Sequence, residues 1–253
     1  MASELDEKIS GFRARRLDQT QWEYLMLDAR YEKVRVDQKV ISQAALVVVG
    51  FTVEGKREVL EWRIGDSESE QSWSELFTSL KDRGLKGVKL IVSDAHSGIR
   101  AAIKRHFQGA AWQRCRVHYK REMGRTVSYK KLQELNQDLA GVFAPAELQE
   151  CRRRAEEMAV KWERISRVAA KMLREGLDDC LTVLSFPEHH RKKLASTNLL
   201  ENIMKRLKKR TKVVGVFPNR SSCDRLIGAQ LMELHESWLT QDKAYFNMEY
   251  AGV

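Results

Sequence analysis

The chain is short of the features that would place it outside the cytoplasm. No apolar run reaches membrane-spanning length; the longest, at residues 44–49, is as long as a strand. The opening MASELDEKIS is acidic and polar where a secretory signal needs an apolar region. Cysteine is scarce and scattered, at Cys115, Cys151, Cys180 and Cys223. Such spacing favours free thiols in an intracellular protein over a disulfide framework. Proline is rarer still, with three residues, and no internal repeat or low-complexity tract is evident.

What remains is an ordinary globular composition, 43% hydrophobic and 32% charged over 253 residues. That length buries one core, or one core with an inserted subdomain. The net charge of +10 favours a polyanionic partner, because neutralising phosphates releases counterions.

The first 20 residues are polar and form a lead-in segment. Residues 22–29 (WEYLMLDA) are an apolar run ending on an acid, residues 40–53 are β-branched, and residues 58–64 alternate. Glu54-Gly55 links the last two as a hairpin turn. Helical spacing follows at residues 72–83, a short buried strand at 88–92, a helix at 97–107 and a strand at 111–115. This order predicts a mixed α/β sheet over residues 21–118. Residues 119–190 change character and read as all-helical. Residues 191–253 carry two closing helices, near 198–210 and 223–238, the last with Ser221 as its N-cap.

Two acids stand at the ends of apolar strands, Asp28 after Leu-Met-Leu and Asp94 after Leu-Ile-Val-Ser. A carboxylate in that setting must be solvated, hydrogen-bonded or metal-bound. Two on neighbouring strands suit a hard cation such as Mg²⁺; the alternative is that each simply starts a turn. Glu201 lies at the edge of a helix face formed by Leu200, Ile203, Met204 and Leu207. It suits a metal site, and equally a capping box begun by Asn198 or an ion pair with Lys205. Six of the eight residues from 205 to 212 are cationic: Lys205, Arg206, Lys208, Lys209, Arg210 and Lys212. They form either a solvated helix face or a phosphate-contacting one.

Cys115 and His118 make a C-x-x-H pair without a second pair to complete a zinc site. His118 is placed to orient a phosphate or water, with packing as the alternative for Cys115. His96 is a phosphate contact or a helix-start residue. Trp162 either stacks on an unpaired base or anchors helix packing.

The motifs LDARYEKVRVD, VSDAHSGI, WQRCRVHYKRE and STNLLENIMKRLKKRTKVVGVFPN, in this order, resemble those of the Mutator-type family of bacterial insertion-sequence transposases. The resemblance implies an RNase H-like catalytic fold, interrupted by a helical insertion before the last acid. It assigns Asp28, Asp94 and Glu201 as the catalytic, metal-holding carboxylates. Cys115, His118 and the basic stretch match further family hallmarks. Met204 stands where family members usually carry Asn, and Leu199 where they carry Pro. Members are generally longer, with an N-terminal region bearing helix-turn-helix elements, so the chain is expected to be the catalytic portion.

The implied reaction is DNA cleavage and strand transfer by metal-assisted phosphoryl transfer with two Mg²⁺ or Mn²⁺ ions. The implied partners are double-stranded DNA, at transposon ends and target, and further copies of the chain as a homodimer or higher oligomer. The setting is the cytoplasm and nucleoid, with no membrane. A non-catalytic DNA-binding derivative and another RNase H-like nuclease are the competing expectations.

Overall fold

A computed structural model describes residues 2–248. The elements run α1 (Ala2–Ala14), β1 (Trp22–Val36), β2 (Lys39–Thr52), β3 (Arg57–Gly65), α2 (Glu70–Asp82), β4 (Leu90–Ser93), α3 (Ser97–His106) and β5 (Ala111–Arg114). Then come α4 (Arg116–Gly124), α5 (Tyr129–Phe143), α6 (Leu148–Glu163), α7 (Arg167–Gly176), α8 (Glu188–Leu194), α9 (Asn198–Val214) and α10 (Arg220–Leu239). The α/β class expected from the sequence is observed, with five strands in one mixed sheet of order β3-β2-β1-β4-β5. The chain divides into two compact units. One takes residues up to Ile91, His96–Ala110 and the described chain from Asn198 onward; the other takes Val92–Ala95 and Ala111–Thr197.

The first unit is built on the meander β1-β2-β3, antiparallel throughout. Leu25, Met26 and Leu27 of β1, and Val47, Val48 and Val49 of β2, are fully buried. Asp37 and Gln38 join β1 to β2 with both φ angles positive, at 45° and 64°, as a two-residue hairpin turn requires. The Glu54-Gly55 turn is present: Gly55 has φ +77°, and a Cβ there would lie 1.9 Å from the Phe246 carbonyl oxygen. Asp28 does not end its strand. It pairs with Val47 in mid-ladder, and β1 continues to Val36. The apolar run stops at Asp28 because the strand leaves the core there, while its backbone bonds to β2 carry on.

Residues read only as a polar lead-in form α1, held by the buried Ile9, by Phe12 against the Trp62 and His235 rings, and by polar side chains. Arg13 grips Asp224 of α10 through both guanidinium nitrogens, at 2.9 and 2.7 Å, and lies 3.3 Å from Glu61 of β3. Arg83 reaches the same Glu61 at 2.7 Å, and the Trp62 indole donates to Asp224 at 2.9 Å. The cap of α10 is Asn219, not Ser221: its side chain accepts the Ser222 amide at 2.8 Å. Both residue types suit an N-cap, and the chain enters the helix one turn-position earlier than its serines.

The second unit is helical apart from β5 and the end of β4. Its core gathers Tyr119, Leu135, Leu139, Trp162, Leu173 and Cys180. Trp162 is fully buried, and its indole donates to Asp138 at 2.7 Å. It is therefore a packing anchor, with no face to offer a base. Gln113 ties β5 to the segment after α7, donating to the Cys180 carbonyl at 2.9 Å and accepting the Val183 amide at 2.7 Å.

Candidate active site

In the first unit, Asp28 is half-buried where β1 emerges from the core, and its Oδ1 accepts the Ala29 amide at 2.9 Å. Glu201 is half-buried in the first turn of α9. The buried face of α9 is the expected one: Leu200, Ile203, Met204 and Leu207, with Thr211 added. Asn198 opens the helix, with Glu201 three residues on. The far end of α9 is fixed to β1, where the Thr211 hydroxyl donates to Glu32 at 3.0 Å. Lys205, Arg206, Lys208, Lys209, Arg210 and Lys212 are all exposed along α9.

In the second unit, Asp94 is half-buried and is the first residue beyond β4. The preceding Ser93 accepts the Cys115 amide on its carbonyl at 2.7 Å and the Trp112 indole on its hydroxyl at 2.9 Å. These bonds bring the start of α4, with Cys115 and His118, beside the end of β4. Cys115 is fully buried, and the Thr197 amide and hydroxyl each donate to its sulfur at 3.3 Å. Burial pushes this thiol up, but hydrogen bonds from His118 and Thr197 outweigh burial and hold it below the ordinary cysteine value. The sulfur is thereby an acceptor for the residue that leads into α9. His96, in the first unit, is exposed and caps α3, its Nδ1 accepting the Gly98 amide at 3.3 Å.

Asp28 and Glu201 belong to one unit and Asp94 to the other. Among the described residues, no three His, Cys, Asp or Glu side chains are gathered as a cation site. Each of the three carboxylates is partly exposed and offers the oxygen that a hard divalent ion takes, whereas the Cys115 thiol is buried and occupied. Sequence reasoning passed over Lys33, Arg35 and Lys39, which are exposed on the arm that β1 and β2 form beyond the core, out to the Asp37-Gln38 turn. The signal was present, since Lys33 and Arg35 alternate with Glu32 and Val34. No helix among the described residues is long and apolar enough to cross a membrane.

Residues 1–241 match the family described as "Transposase, Mutator family", and the chain belongs to that family. Among its relatives is the transposase for insertion sequence element IS256 in transposon Tn4001 of Staphylococcus aureus. That protein is 32% identical over 98% of this chain and 64% of its own length. The transposase for insertion sequence element ISRM5 of Rhizobium meliloti is 39% identical over 97% of this chain and 61% of its own. The chain thus spans roughly three-fifths of the length of these relatives. The Drosophila P element transposase strand transfer complex aligns over 88% of this chain and 66% of that one. At 12% identity and a TM-score of 0.30, it defines no common fold.

Proposed function

We propose that the chain is the phosphoryl-transfer portion of an insertion-sequence transposase, acting on double-stranded DNA. In this reading the sheet is an RNase H-like core, and residues 119–190 are a helical insertion ahead of the last catalytic acid. The reading is carried by membership of the Mutator family across residues 1–241, with Asp28, Asp94 and Glu201 partly exposed where buried elements meet solvent. These three carboxylates would hold Mg²⁺ or Mn²⁺, two ions in the full site. Bound there, the ions supply Lewis-acid stabilisation of the phosphoryl oxygens and a more acidic water or 3′-hydroxyl.

The chain's own contribution is positioning and charge. The α9 cations neutralise DNA phosphates next to Glu201 and hold the strand in register. Cys115 and His118 keep Thr197, and so the entry to α9, in place. Assembly as a homodimer or larger oligomer on DNA, in the nucleoid, completes the proposal.

The test uses purified protein, Mg²⁺ or Mn²⁺ and duplexes carrying the element's ends, with Asp94→Asn as control. End cleavage and joining are expected from the native chain and not from the variant. Equal, background-level products from both would sink the catalytic reading.

A further inference from the structure

Along β1 the even-numbered residues Met26, Asp28, Arg30, Glu32 and Val34 share one face, because pairing with β2 is regular from Tyr24 to Val36. Helix α9 meets that face, its Thr211 hydroxyl donating to Glu32 at 3.0 Å. Met26 is fully buried at one end of the row, and Glu32 and Val34 are buried at the other. Between them Asp28 and Arg30 are half-buried. The covered face thus opens to solvent at an acid and a cation two residues apart, about 7 Å along the strand.

The cation is tied by one atom. Arg30 Nε donates to Glu32 Oε1, the oxygen that also takes the Thr211 hydroxyl. The Glu32 side chain is 8% exposed and needs a cation at that depth, whereas the Arg30 side chain is 21% exposed. Among the described residues the Arg30 side chain has no second hydrogen bond and no second ion pair, so both terminal amino groups keep their donors. Its ion pair is with Glu32 and not with Asp28.

An arginine held by Nε presents the two-amine edge of its fork, which matches the paired oxygens of a phosphate. Counter-ion duty toward Glu32 leaves that edge unused. The Thr211 that shares Glu32 with Arg30 stands on α9 between Arg210 and Lys212, both exposed, so the surroundings add positive charge. Open donors in such surroundings select a polyanion. We infer that Arg30 is a phosphate-contacting residue: Glu32 holds it by Nε, and its terminal amino groups take a DNA backbone phosphate next to the reacting one at Asp28. The inference rests on the proposed phosphoryl transfer at Asp28 and names a substrate contact outside the three carboxylates and the basic helix.

The test is fluorescence anisotropy of the full chain on a duplex carrying the element's ends, without divalent metal, across a range of NaCl concentrations. The variants are R30Q, E32Q, R30Q/E32Q and, on α9, K208Q/K209Q. One lost phosphate contact lowers the slope of log K against log salt by about 0.9. E32Q removes the buried charge but keeps Arg30, and should keep the native slope. R30Q/E32Q should bind more weakly than E32Q, with a slope smaller by about 0.9, and R30Q should show the same loss. Circular dichroism melts establish which variants fold. Where R30Q does not, because Glu32 has lost its cation, E32Q against R30Q/E32Q carries the comparison, since both lack the buried charge. If R30Q/E32Q keeps the affinity and slope of E32Q while K208Q/K209Q binds more weakly, Arg30 is only the counter-ion of Glu32. The inference then fails and the DNA reading survives. Absence of duplex binding by the native chain overturns both.

Discussion

Two ion-pair networks, one in each unit, handle charge in opposite ways. In the first, Glu61 is 4% exposed and Arg83 7% exposed, their pair sealed between β3 and α2 with Arg13 reaching in from α1. Burial raises the Glu61 carboxyl, and Arg83 and Arg13 pull it back toward ionisation. In the second, the charges form ladders on the outside of α6 and α7. Arg153 bridges Glu150 and Glu157, and Arg174 bridges Glu156 and Glu163. Arg153, then Arg154, pulls the Glu150 carboxyl down to about 2, yet the group faces water. Desolvation makes the first network costly to break, whereas solvent screening makes the second nearly dispensable. The same residue types thus hold helices to a sheet in one place and merely keep a surface wet in the other.

The largest break in this contrast is Arg83→Met, which removes the buried partner of Glu61 and leaves it only Arg13 and the Ser79 hydroxyl. It should cost about 3–5 kcal/mol in urea unfolding, and the double variant R83M/E61L should recover most of that loss. Next comes His235 on α10, which packs edge-on against Phe12 at 5.0 Å. Burial, then Arg15, holds its imidazole down at about 4. A depressed pKa means that the unfolded chain takes up the proton first. The stability is therefore full above the ordinary histidine value near 6.5 and is lost as pH falls from there to about 4. The unfolding free energy from urea titrations across that window should fall by up to about 3 kcal/mol, and His235→Phe should flatten the dependence. The smallest effect belongs to the second unit: Arg153→Ala should leave the thermal midpoint where it was. A clear drop there would erase the distinction between the units.

Much of this was legible because buried faces write themselves as periods. The meander, the α2 stripe of Trp73, Leu76, Phe77 and Leu80, and the α9 face all follow from spacing. Asp94 after β4 was equally readable. What failed depended on partners far along the chain. Helix α1 has a short apolar stripe of Leu5, Ile9 and Phe12 amid charged residues, and its polar anchor, Arg13 to Asp224, spans 211 residues. Continuation of β1 past Asp28 depends on Glu32 and Val34 being covered by Thr211 and Phe217. Local pattern marked where apolarity ended and mistook that for the end of the strand. Trp162 was ambiguous because its charged neighbours Lys161 and Glu163 hide a residue aimed at the core. For the three acids, residue type and setting supplied candidates, but no periodicity records which carboxylates work together.

The Phe217 amide donates to the Lys33 carbonyl and its carbonyl accepts the Arg35 amide, a join to the β1–β2 arm that bears on how the chain is made. Glu32 and the Thr211 hydroxyl that covers it are 179 residues apart. Synthesis at about 5–20 residues per second separates them by roughly 10–35 seconds. Through that interval the inner face of the arm has neither helix nor loop over it, and β1 presents Val34 to whatever else is nearby. The residues that close over β1 are therefore made well after the strand they cover, although β1 and β2 can pair with each other early.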